Sequence, residues 1–120
     1  MSVELQKNKK IRGTTRRYAT KVQKDIQDLL KDFDPASVNK LKSLRLSLLD
    51  RLSNLKELDD KILLQVNDDD IENEIFEAAS FSDGLKEILV DIHFVLAKMR
   101  LKVKVPSLRI EMEINILHLE

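Results

Sequence analysis

Two histidines, two glycines and no cysteine in 120 residues bound the chemistry this chain can do. His93 and His118 have no His-Glu-x-x-His motif and no carboxylate at metal-ligand spacing beside them, so they are expected to be ordinary helix and tail residues. The densest acids are Asp68, Asp69, Asp70, Glu72 and Glu74. A calcium loop of the EF-hand kind needs ligands at alternate positions, a central glycine and a distal glutamate. No glycine lies here, and the run is expected to cap a helix and stand as a solvated acidic end. There is no Ser/His/Asp order and no nucleophile elbow, and Gly13 and Gly84 cannot build a phosphate-cradling loop. Without cysteine there are no thiolate ligands, thiol nucleophiles or disulfides. These residues predict a chain that is not an enzyme, with no catalytic residue, metal or cofactor.

The feature best suited to bind a partner is basic: Lys7, Lys9, Lys10, Arg12, Arg16, Arg17, Lys21 and Lys24. Clustered Lys and Arg hold phosphate backbones through counterion release, without reading sequence. Lys9, Lys10, Arg12, Arg16, Arg17, Lys21 and Lys24 are therefore candidate contacts to RNA, and Arg17, Lys21 and Lys24 share one side of a helix. The alternative is a solvated helix face that pairs with the acidic start of a later helix. The balance between them is set by charge: the net charge is zero. It is unevenly spread, at +7 over residues 1–24, −10 over 57–91 and +4 over 92–104. That polarity favours attraction within the chain or head to tail between copies. Aromatic residues are few (Tyr18, Phe33, Phe76, Phe81, Phe94) and tryptophan is absent, so stacking platforms for bases are not expected.

The elements that would position these groups are helices. Leu41, Leu44, Leu48, Leu52, Leu55, Leu58, Ile62 and Val66 recur at a mean step of about 3.6 residues, the period of one helix face. Lys42, Ser43, Arg45, Asp50, Arg51, Lys56 and Lys61 lie between them. This eight-residue stripe is the predicted packing face of a long central helix. Such a helix is marginal alone in water and needs partners. Before it, Tyr18, Val22, Ile26, Leu29, Leu30 and Phe33 recur at helical steps. After it, Ile71, Ile75, Ala78, Phe81, Leu85, Ile88, Leu89, Ile92, Val95, Leu96, Met99 and Val103 do the same.

Asp34-Pro35 is a strong boundary, because Asp caps a helix start and Pro suits its first position. Asn67 to Asp70 closes the central helix, and Asp69 with Glu72 has capping-box spacing. The helical spacing places the first helix at about 4–33, or from about 13 where Gly13 breaks it, and that break makes residues 1–12 a basic flexible lead. Pro106 is expected to stop the third helix, with extended backbone around Val103 to Ile110. The predicted fold is all-α: a three-helix antiparallel bundle or coiled-coil-like arrangement. Its helices cover about 13–33, 35–66 and 69–104, and an extended tail covers 105–120. Short connections favour a closed bundle over an oligomeric coiled coil, and a third helix longer than the first would leave apolar surface for a second copy. The first residues lack the apolar core of a signal peptide, and no apolar run is long enough to span a membrane. An intracellular, cytoplasmic protein is expected.

Four stretches, taken in order, resemble the N-terminal helical region of Gag-like polyproteins of Pao/BEL-type retrotransposons. Lys10-Ile11-Arg12-Gly13-Thr14-Thr15-Arg16-Arg17 with Thr20-Lys21 resembles the opening K/R-R-G-x-x-R/K-x-x-x-T-K pattern. Leu52 to Asp60, through Leu55, Leu58 and Asp59, resembles the L-x-x-L-x-x-L-D segment. Asn67 to Glu77 resembles the acidic turn before the third helical stretch. Val103-Lys104-Val105-Pro106-Ser107-Leu108-Arg109-Ile110 resembles the V-K-L-P-K-L segment that follows it. The family continues with a Phe-x-Gly and a downstream Trp, which residues 111–120 lack, so a truncated element copy is expected. The resemblance implies a helical, non-enzymatic segment with a scaffold or self-association role. The expected partners are a second copy or another helical protein, with RNA as the alternative through the basic segment; no membrane and no small-molecule substrate is expected.

Overall fold

A computed structural model describes the backbone of residues 2–107 and the side chains of residues 2–100. The fold is an all-α bundle of three long helices: α1 (Val3–Lys31), α2 (Val38–Gln65) and α3 (Ile71–Ser107). Single 3₁₀ turns, Pro35–Ser37 and Asp68–Asp70, lead into α2 and α3. Both connections are short, so consecutive helices run antiparallel and α1 and α3 run parallel. The bundle is a rod of 65 × 29 × 18 Å. Its radius of gyration is 19.6 Å, against about 14 Å for a compact domain of this length.

The central stripe faces inward as its period requires. Leu41, Leu48, Leu55 and Ile62 are buried, and Leu44, Leu52, Leu58 and Val66 flank them half-buried. The deeply buried four are seven residues apart, which is the heptad seam of a coiled coil rather than an undifferentiated face. On α1 the buried positions are Leu5, Asn8, Arg12, Ala19, Val22 and Ile26, again at steps of three, four and seven. On α3, Leu85, Ile88 and Ile92 close the core against them. Burying each of these large side chains contributes roughly 1.5–3 kcal/mol, an upper figure.

The helix ends follow local chemistry. The Asp34 carboxylate accepts from the Ala36 amide at 2.9 Å, with Pro35 at the first position of the turn. The predicted boundary at Asp34-Pro35 therefore stands, one 3₁₀ turn ahead of α2 proper. At the other connection Asn67, not Asp69, occupies the cap, and its carbonyl accepts from the Asp70 amide at 2.9 Å. The Asp69–Glu72 capping box does not form, because the acids are taken into the 3₁₀ turn and first turn of α3, at the positive end of its dipole.

Two expectations are corrected at the chain ends. Residues 3–12 are not a flexible lead: α1 starts at Val3, capped by the Ser2 hydroxyl, which accepts from the Leu5 amide at 3.0 Å. Gly13 is helical, and an added Cβ there would meet nothing closer than Arg17 Nη1 at 3.8 Å. The glycine penalty, about 1 kcal/mol relative to alanine, is outweighed because the extended helix buries Leu5 and pairs Asn8 and Arg12 with the other helices. At the other end, α3 continues through Val105 and Pro106 to Ser107, where extended backbone was expected. The weak preferences of Val103 and Val105 do not stop a helix already eight turns long, and Pro106 falls in its last turn. The rest of the predicted tail, residues 108–120, lies outside the described residues, and His118 with it.

Candidate functional site

The heptad seam of α1 changes character at its N-terminal half. After Leu5 its inward positions there are Asn8, Arg12 and Thr15 instead of aliphatic residues. Burial of a charge is costly unless it is paired and hydrogen-bonded, and Arg12, only 6% exposed, is both. Its guanidinium donates through Nη1 to Glu74 Oε2 at 2.9 Å and through Nη2 to Glu74 Oε1 at 3.1 Å, a two-pronged grip on α3. Nη1 also donates to Asp59 Oδ1 on α2 at 3.1 Å. One side chain thus ties all three helices. A turn away, Arg16 donates to Glu77 Oε1 at 3.0 Å, and its Nη2 lies 3.8 Å from Asp59. The Arg16 guanidinium also sits over the Phe81 ring at 5.1 Å, on its attractive face. Toward the helix start, Asn8 Nδ2 donates to Gln65 Oε1 at 3.0 Å.

The electrostatics follow from these contacts. Hydrogen bonding to Arg12, outweighing burial, holds the Glu74 carboxyl below the usual carboxylate range, with Lys9 and Arg16 adding to the effect. Hydrogen bonding to Glu74, again outweighing burial, raises Arg12 above its ordinary value. Both stay ionised at neutral pH. The cluster contains no nucleophile, and its acids are neutralised by guanidinium rather than poised to move protons. What it does physically is set register: α1 can pair with α2 and α3 at full strength only where Arg12 meets Asp59 and Glu74.

The predicted phosphate contacts separate into two groups. Arg12 is corrected outright, because it is buried inside the bundle and cannot reach a nucleic acid. Arg16 is mostly covered and engaged with Glu77. For these two, the pairing with the acidic start of α3 is what forms. Lys10, Arg17, Lys21 and Lys24 stay exposed on the outer side of α1, and Lys9 is half-buried. Of these, Lys21 and Lys24 make surface pairs with Asp25 at 3.2 Å and Asp28 at 3.8 Å. Arg17 donates to the Thr14 hydroxyl at 3.1 Å.

Sequence reasoning missed the polar layer because its members are charged or amide residues at positions assigned to a flexible lead. The signal was present: Leu5, Asn8, Arg12, Thr15, Ala19, Val22 and Ile26 keep the heptad phase unbroken through Gly13. His93 is exposed on α3 beside Phe94, ring centroids 6.1 Å apart. Among the described residues no group of three or more His, Asp or Glu side chains is placed to hold a metal ion, and no helix is long and apolar enough to cross a membrane. Comparison with family models, with curated proteins and with solved structures finds no match to this chain.

Proposed function

We propose that the chain is a non-enzymatic helical interaction module that associates with a second copy of itself through the outer face of α3. The observation that carries this reading is the placement of Phe76, Val90 and Phe94. They are 65%, 52% and 61% exposed, and they fall within about 40° of one another around α3. Large apolar side chains repeated on an outward face beyond what the core uses are characteristic of helix-to-helix docking. The polar layer supports the same reading, since it fixes one register for the three helices and so holds that outer face in one orientation. The likeness to Pao/BEL Gag segments, which rests on the residues quoted for it, fits a scaffold or self-association role. The test is a dilution series on the full chain and on the Val90→Glu/Phe94→Glu variant. The variant should stay monomeric at concentrations where the parent associates, with unchanged helicity by circular dichroism. Equal association of the two chains would overturn the reading.

A second reading is favoured by the exposure of Lys10, Arg17, Lys21 and Lys24 along one side of α1. There the module contacts RNA through phosphate alone. Affinity for a single-stranded RNA should then fall steeply with salt, and the Arg17→Gln/Lys21→Gln variant should reduce the slope by about 1–2. No binding at low salt would remove this reading.

A further inference from the structure

Opposite ends of the rod carry opposite charge. At the end with the α1–α2 connection, the start of α2 and the distal part of α3 enclose an open groove of about 470 Å³. Val38, Leu96 and Met99 form its half-buried apolar floor, and Lys42, Arg45 and Arg100 form an exposed cationic rim. No Asp or Glu occurs in residues 35–49 or 92–100, where Lys40 and Lys98 add to the positive charge. Among the described residues none of the three rim cations takes part in an ion pair.

The corner where α2 turns into α3 is the reverse. Leu64 is 88% exposed there, and Asp68, Asp69, Asp70 and Glu72 follow it, all exposed. No Lys or Arg occurs between Lys61 and Lys86. Glu74 and Glu77 are engaged by Arg12 and Arg16, but these four acids take part in no ion pair among the described residues. The positive end of the α3 dipole offsets only about half an elementary charge. The 28 residues of α2 hold this corner about 40 Å from the groove, so the two cannot meet within one chain. Between two copies placed end to end they can.

We propose that the acidic corner of one copy docks in the cationic groove of the next. Leu64 of the incoming copy covers Val38, Leu96 and Met99, and its Asp68, Asp69 and Asp70 meet the rim formed by Lys42, Arg45 and Arg100. The contact is heterologous: each docked copy still presents its own groove, so copies add head to tail. It uses none of Phe76, Val90 and Phe94 and is separate from association through the outer face of α3. Because exposed charges hold it, salt weakens it.

The absence of native cysteine lets a disulfide trap this contact. Full chains carrying Met99→Cys and Leu64→Cys are mixed in equal amounts at low salt and oxidised mildly, and the covalent dimers are told apart by mass. The expected result is a mixed disulfide, joining groove to corner, about tenfold in excess of either symmetric one. Raising the salt to about 0.5 M should remove the excess. Lys42→Glu/Arg45→Glu in the Met99→Cys chain should remove it too, and Asp69→Lys/Asp70→Lys in the Leu64→Cys chain should then restore it. Circular dichroism reports whether each variant folds. If the lysine corner does not, Asp69→Asn/Asp70→Asn against the parent groove replaces it and should lower the excess. The excess should survive Val90→Glu/Phe94→Glu in both chains, so failure of the α3 contact leaves this result readable. A statistical mixture of the three disulfides would overturn the proposal, as would an excess that neither salt nor charge reversal changes.

Discussion

At the scale of single residues, Arg12 carries the most specific consequence. Removing its guanidinium leaves Glu74 and Asp59 facing each other in a partly buried site, with Arg16 and Lys9 as the remaining nearby cations. The Arg12→Met variant should lose about 3–5 kcal/mol of stability in a urea unfolding experiment. Pairing it with Glu74→Leu should recover part of that loss, because it removes one of the two stranded carboxylates and leaves Asp59 with Arg16. The same pair predicts a pH dependence. Glu74 titrates below the usual carboxylate range when folded, so between the two values the unfolded chain binds more protons than the folded one. Stability then rises with pH across that interval. The contribution is complete above the ordinary glutamate value of about 4.3 and is lost as pH falls through the lowered value. Arg12, shifted upward, stays charged throughout. The Glu74→Gln variant should therefore show a shallower acid limb in a Tm-against-pH series. An unchanged limb would mean that the pair contributes nothing to folding.

At the scale of helices, the glycines and the central stripe give separate predictions. Neither Gly13 nor Gly84 has positive φ, and an added Cβ at Gly84 meets nothing within 4 Å. Gly84→Ala and Gly13→Ala should each stabilise the fold by about 0.5–1 kcal/mol, read as a shift in urea midpoint. Leu48→Ala should cost about 2–5 kcal/mol, since Leu48 is wholly buried, and half-buried Leu52→Ala should cost less. How much of this was legible in the sequence differs by helix for a physical reason. α2 could be read directly, because the eight positions of its packing stripe are all aliphatic and Asp34-Pro35 punctuates its start; the inward reach of Asp59 and Gln65 was not legible. The first three turns of α1 could not, because Asn8 and Arg12 stand where aliphatic residues mark a core. The pairing of Arg12 with Glu74, separated by 62 residues, depends on the register between α1 and α3, which neither helix's own pattern specifies. The continuation of α3 through Pro106 was hidden for a different reason: local preference argued for a stop, and the momentum of a long helix overrode it.

At the scale of the whole molecule, the rod puts its charge inside as well as outside. The basic half of α1 and the acidic start of α3, which as sequence could have met in separate copies, are brought together within one chain by the parallel arrangement of these helices. Left exposed are Phe76, Val90 and Phe94 on the outer side of α3, with Asp83 and Glu87 between the first two, and Lys10, Arg17, Lys21 and Lys24 on α1. The central claim is that the α3 group joins two copies. The most direct test is the solution mass of the full chain by light scattering across about a hundredfold range of concentration. A dimer or larger species that dissociates on dilution is the predicted result. A constant mass of one chain, 13.9 kDa, at every concentration would contradict it.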